Sequence, residues 1–176
     1  AQLSNNKESI KCHLKAIDLN SENNEAYFNL GIRYLHEKNF KEGWKYYEYR
    51  LKKNKLPHDK YPFKIKDITK KKVLIRHEQG LGDTIQFSRL LNNLLEYSKD
   101  IDFLIPETLK DLFDIKNVNI IYKLDDNTNY DYEIYLMSLP YFLNVDLDNP
   151  PKLSHINGDL LKKKFKKNIN LKIGLT

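Results

Sequence analysis

One stretch of this sequence gathers the side chains equipped for chemistry: His77-Glu78-Gln79-Gly80-Leu81-Gly82-Asp83-Thr84-Ile85-Gln86-Phe87, with Arg89 close behind. The apolar run Val73-Leu74-Ile75 stops at a loop bracketed by two glycines, and the loop delivers Asp83 to the start of a helix. The carboxyl end of a strand beside a helix N-terminus is where α/β proteins build ligand sites. Gly80 and Gly82 are expected to supply positive-φ backbone and close ligand approach. Asp83 suits the N-cap of a helix beginning at Thr84, with Gln86 at the N3 place of a capping box. The amides from Gly80 to Asp83 also suit a phosphate or sugar oxygen. No Gly-Lys-Ser/Thr follows, so this is not a Walker loop. His77 is either a proton shuttle, a ligand contact or a structural histidine. Glu78 and Gln79 hold the loop or touch a ligand, and Arg89, a short turn past Gln86, can pair with an anion. Ser138 follows another strand end and either lines the same cleft or forms a turn.

These residues need a frame, and the hydrophobic pattern supplies one. Residues 1–56 read as helices: Ile10, Leu14 and Ile17 recur at helical spacing, a second helix runs from about Glu25 to Glu37, and a third carries Phe40, Trp44, Tyr47 and Leu51. Pro57 and Pro62 punctuate a linker over residues 57–71. Residues 72–170 change character. Short apolar runs at Val73–Arg76, Asp102–Ile105, Val118–Tyr122 and Glu133–Leu136 predict strands, and Leu171–Leu175 predicts another. A helix with Ile85, Leu90, Leu91, Leu94 and Leu95 lies between the first two strands, and a shorter one at Glu107–Asp114 follows the second. That alternation predicts a parallel, doubly wound sheet with helices on both faces.

Composition narrows the classes. The chain has 176 residues and a formal net charge of +6. The positive charge is mostly lysine, densest at Lys70–Lys72 and Lys162–Lys167, with no recognition helix or RNA-binding signature, so nucleic acid is not the expected partner. A single cysteine, Cys12, excludes an internal disulfide, fits a reducing, cytoplasmic setting and reads as a small buried thiol. No apolar run has the length of a membrane span. No cluster of His, Cys and carboxylates has metal-ligand spacing, and no Ser-His-Asp or Cys-His arrangement is visible.

Residues 24–56 resemble a tetratricopeptide repeat, with Tyr27, Leu30-Gly31, Tyr34, Gly43 and Tyr47 at the signature places. Gly31 and Gly43 would let paired helices approach closely. Arg50 and Lys55 depart from the usual small residue and proline, as in a terminal repeat, and a repeat this short implies more upstream. Tyr46, Tyr47 and Tyr49 either form a binding surface or, as aromatics at helical spacing usually do, are expected to pack against the next domain.

Lys41-Glu42-Gly43-Trp44, Tyr47-Glu48-Tyr49-Arg50 and Glu78–Phe87, with Met137-Ser138-Leu139-Pro140, Pro150-Pro151 and Lys172–Leu175, resemble one arrangement: a tetratricopeptide-repeat protein fused to a domain similar to glycosyltransferase family 9 and the heptosyltransferases. The resemblance implies a GT-B architecture, with this half holding the sugar acceptor (glycan, lipid-linked sugar or protein). It implies a nucleotide-sugar donor bound mainly by a carboxyl-terminal domain whose first strand begins at residues 171–176, so that this part alone would not complete a transfer. It implies no metal and no other cofactor, and inversion at the sugar carbon. Asp83 matches the family's aspartate, which takes the proton from the acceptor hydroxyl, while His77, Glu78, Gln79, Gly80, Gly82, Gln86, Arg89 and Ser138 become acceptor-side contacts. The rival expectation is a non-catalytic scaffold that binds a protein through its repeats, with Asp83 only capping its helix.

Overall fold

The computed structural model describes residues 2–125 and 127–146. Four helices come first: α1 (Gln2–Leu19), α2 (Asn24–His36), α3 (Phe40–Tyr47) and α4 (Tyr49–Lys53). Asn23 and Asn39 start α2 and α3 by accepting the amides of Ala26 and Glu42 at 3.0 and 3.4 Å, which satisfies donors that a helix start leaves open. Glycine then lets α2 and α3 close on each other. A Cβ on Gly31 would stand 2.6 Å from the Tyr47 backbone nitrogen, and one on Gly43 would stand 2.6 Å from Leu35 Cδ2.

The third helix is not continuous. It breaks at Glu48, where the Leu51 amide bonds back three residues to the Glu48 carbonyl at 3.0 Å, and the tightened turn carries Arg50 inward. Of the three tyrosines expected to pack on the next domain, only Tyr47 is buried. Tyr46 and Tyr49 instead stack with Tyr27 of α2, at centroid distances of 6.0 and 4.1 Å. Cys12 is exposed on α1 rather than buried, because α1 makes its main contacts among the described residues with α2 and leaves Leu14 and Leu19 in the open as well.

Among the described residues the second half is a sheet of four parallel strands, β1 (Lys72–Arg76), β2 (Asp100–Leu104), β3 (Asn119–Ile121) and β4 (Tyr132–Tyr135), in the order β3-β2-β1-β4. The layout is therefore helices followed by an α/β sheet. Val73, Leu74 and Ile75 are all fully buried because β1 lies between two other strands. Val73, Ile75, Ile101, Phe103 and Ile134 share one core with Leu90, Leu91 and Leu94. The opposite face is more polar. Register aligns Leu74 with Asp102 and Glu133, and Asp102 is satisfied by Asn119 at 2.8 Å and the Tyr130 hydroxyl at 2.7 Å.

The helix predicted after β1 forms as two pieces, α5 (Leu81–Ser88) and α6 (Leu91–Leu94). Ser88 Oγ donates to the Ile85 carbonyl at 2.8 Å and the Leu90 amide bonds back to Phe87 at 3.0 Å, which interrupts the regular ladder. The predicted helix at 107–114 shrinks to a 3-10 turn over Glu107–Leu109. The connection from β3 to β4 crosses the sheet with no helix among the described residues. A short helix, α7 (Leu139–Phe142), follows β4. The strand expected at 171–175, Pro150-Pro151 and the lysine run at 162–167 lie outside the described residues.

Candidate functional site

The corner after β1 is built by backbone bonds. The His77 amide extends the β1–β2 ladder by donating to the Leu104 carbonyl at 3.1 Å. The chain then turns at Gln79, whose φ of 59° is left-handed. Positive φ thus falls on Gln79 and on neither glycine: Gly80 is extended, with φ −83° and ψ 169°, because it is the N-cap of α5. A non-glycine residue in this region is uncommon and carries some strain. Here Gln79 Nε2 donates to the Tyr47 hydroxyl at 2.9 Å, tying the turn to α3.

Because α5 starts at Leu81, Asp83 is not its N-cap. It occupies the third helical place and its Oδ2 accepts the Gly80 amide at 3.2 Å, the return half of a capping box. Gln86 lies a turn later, exposed, and takes no part. This bond also removes the Gly80 amide from the set that could have held a phosphate. Among the described residues, a Cβ built on Gly82 would meet nothing within 4 Å, so the helix start beside Asp83 is bordered there by open space.

The strand order places a second feature nearby. Connections leave β1 toward β2 and enter β4 on the other side, so the crevice at the carboxyl ends of β1 and β4 is the topological switch point of the sheet. Glu78 and Ser138 stand at its two sides, and Arg50 fills it. Arg50 Nε and Nη2 donate to Glu78 Oε2 and Oε1 at 3.0 and 2.6 Å, and Nη2 also donates to Ser138 Oγ at 2.6 Å. Its Nη1 donates to Glu48 at 2.5 Å, and Tyr61 donates to the same carboxylate at 2.9 Å. The Met137 amide adds a bond to Glu78 at 3.2 Å. The Arg50 side chain is 1% exposed and that of Glu78 7%. Burial works against the Arg50 charge, but Glu48 and Glu78 outweigh it and hold the pKa above the arginine range.

The expected site residues therefore divide. Asp83, Gly80 and Gly82 form the corner; Glu78 and Ser138 are committed to Arg50; Gln79 is committed to Tyr47. Gln86 is exposed and Arg89 caps the end of α5, so neither joins the cluster. His77 Nδ1 is buried without a hydrogen-bond partner among the described residues, and desolvation lowers its pKa. Sequence reasoning missed Arg50, Glu48 and Tyr61 as parts of this region. The available signal was a long basic residue at a place where the repeat pattern has a small one. Among the described residues no group of metal-ligating side chains occurs and no helix is long and apolar enough to cross a membrane. No protein-family model, curated protein or solved structure matches the chain, so the reading of this corner rests on its geometry.

Proposed function

We propose that the chain contributes the acceptor-side domain of a GT-B glycosyltransferase, joined to tetratricopeptide-type helices, with Asp83 as general base. The observation that carries this reading is the open space beside Asp83: a half-exposed carboxylate in the first turn of α5, next to a glycine whose missing Cβ leaves room for a ligand. In this reading an acceptor hydroxyl lies against Gly82. As its oxygen attacks the anomeric carbon, Asp83 takes its proton, and the bond from that carbon to the nucleotide phosphate breaks with inversion. The nucleotide-sugar is held mainly by a second Rossmann-like domain, and no metal is required of these residues.

A second reading, a non-catalytic scaffold, gains support from Arg50. Two residues at the switch point, Glu78 and Ser138, are bonded to the buried Arg50 rather than presented to a ligand. The experiment that separates the two is glycosyl transfer and donor hydrolysis by the complete protein over a panel of nucleotide-sugars, with Asp83→Asn alongside. Asparagine keeps an acceptor for the Gly80 amide but cannot take the proton. Turnover that collapses in a folded Asp83→Asn protein supports the base. Turnover that survives it moves the base elsewhere. Absence of both turnover and nucleotide-sugar binding favours the scaffold.

A further inference from the structure

The linker between the helices and the sheet is pinned on both sides of one exposed ring. Before it, the Tyr61 hydroxyl donates to Glu48 at 2.9 Å, the Tyr61 ring packs on Phe142 at 5.3 Å and Pro62 is buried. After it, a 3-10 turn over Ile65–Ile68 faces Ile65 and Ile68 into the core, one turn apart. The Lys64 amide closes this turn by donating to Asp67 Oδ2 at 2.8 Å, and the Asp67 amide donates back to the Lys64 carbonyl at 3.0 Å. Phe63 stands between these anchors and is 94% exposed, more than any other large apolar residue among those described. Its neighbours are fixed, so the fold itself holds the ring out into solvent.

A lone exposed apolar side chain needs no partner, but this one sits amid positive charge. Residues 59–72 carry six lysines (Lys60, Lys64, Lys66, Lys70, Lys71 and Lys72) against two aspartates, Asp59 and Asp67. Lys71 and Lys72 reach Asp131 and Asp102 at 3.6 and 3.8 Å, and Lys60 donates to Asn129 and to the Tyr130 carbonyl. Lys64, Lys66 and Lys70 are exposed, and none of them has a carboxylate partner among the described residues. An aromatic ring set among unpaired ammonium groups matches an anionic bilayer surface. The ring enters the boundary between headgroups and chains, and the ammonium groups meet the phosphates. Nucleic acid fits less well: a duplex groove needs a helix or ribbon to enter it, and a single strand needs several rings to stack on. This turn is four residues long and offers one ring.

We propose that Phe63 and the lysines beside it form a contact for an anionic membrane surface, on which the protein lies without spanning it. The contact depends neither on sugar transfer at the corner nor on the acceptor. The experiment is co-sedimentation of the full chain with vesicles free of glycolipid, made of phosphatidylcholine alone or with about 30 mol% phosphatidylglycerol. The expected result is saturable binding to the anionic vesicles, half-complete below about 5 mM lipid and at least about tenfold weaker on phosphatidylcholine. Raising salt from about 0.05 to 0.5 M should release most of the bound protein. Phe63→Ala and, separately, Lys64→Gln with Lys66→Gln should each weaken binding about fivefold or more, and Phe63→Trp should keep it at the parent level. These side chains are exposed, and melting curves equal to the parent's show that each variant is folded. Asp83→Asn should bind vesicles as the parent does, so failure of the proposed base and failure of this contact are distinguishable. No binding to anionic vesicles would overturn the proposal. So would binding that Phe63→Ala or the lysine variant leaves intact, which would belong to another basic stretch such as Lys162–Lys167. Tighter binding of an oligonucleotide or polyglutamate than of vesicles, with no loss in Phe63→Ala, would assign the lysines to a soluble polyanion instead.

Discussion

Arg50 of α4 and Glu78 at the end of β1 meet in a two-bond fork, Nε to Oε2 at 3.0 Å and Nη2 to Oε1 at 2.6 Å, and this pair fastens the helices to the sheet. A planar guanidinium matches a carboxylate in a way an ammonium cannot. Removing one partner strands the other as a buried, uncompensated charge. Arg50→Met should therefore cost about 3–5 kcal/mol in urea denaturation. Arg50→Lys should recover only part of that, because the fork and the bond to Ser138 cannot both be kept. The double variant Arg50→Met with Glu78→Leu should be more stable than Arg50→Met alone. A double variant no better than the single one would mean that Glu78 is satisfied without Arg50.

Gly31 and Gly43 both lie inside helices, where alanine ordinarily gains up to about 1 kcal/mol. Here the sign should reverse. The Cβ of Gly31→Ala would collide with the backbone of Tyr47 at 2.6 Å and of Tyr46 at 2.9 Å. Backbone cannot swing aside, so a loss of about 1–3 kcal/mol is expected. Gly43→Ala meets the Leu35 side chain at Cδ2 and Cγ, 2.6 and 2.8 Å away, and the Leu35 backbone nitrogen only at 3.0 Å, so with its two shortest contacts on a side chain it should cost less. Paired melting curves of the two variants test the order, and equal losses would contradict it.

The parts of this fold that were legible in the sequence are those governed by local periodicity. The runs at Val73 and Asp102 became neighbouring parallel strands because their apolar residues leave them few other places to go. Helix breaks were not legible: Ser88 bonding back to Ile85, and the tightened turn at Glu48, depend on bonds that no hydrophobic pattern encodes. At the corner, the succession of strand, loop and helix was legible in the sequence, but the start of the helix was not. Counting Asp83 as the cap moved the helix three residues too late, because an aspartate serves equally at the cap and at the third helical place. Arg50 escaped for a different reason: its partners lie 28 and 88 residues away, a pairing only the folded chain reveals.

His77 should make stability depend on pH. Desolvation holds its folded-state pKa below the usual 6.5. Above that value the imidazole is neutral folded and unfolded, and it contributes no pH dependence. As pH falls through 6.5, the unfolded chain takes up a proton that the native state resists, so stability falls with pH. His13, lowered by burial and then by Arg33, adds a slope of the same sign. Denaturation midpoints between pH 7.5 and 5 should fall less steeply in His77→Gln than in the parent, with the remainder assigned to His13 and other titrating groups. An unchanged slope would show that His77 protonates freely in the native state.

Gly82 separates a structural glycine from a functional one. It lies in the first turn of α5 without a positive φ, and a Cβ there would touch nothing among the described residues. Backbone geometry and packing therefore give no reason for glycine at this place, and Gly82→Ala should leave stability unchanged or raise it by up to about 1 kcal/mol. If an acceptor hydroxyl approaches Asp83 across this surface, the added methyl occupies the space it needs. The expected result is a protein at least as stable as the parent whose kcat/KM for the acceptor falls by about tenfold or more, corresponding to at least about 1.4 kcal/mol of lost transition-state binding. Loss of activity together with stability would point to a folding role instead. A variant equal to the parent in both measurements would show that no ligand passes over this turn, and the catalytic reading of Asp83 would lose the space on which it rests.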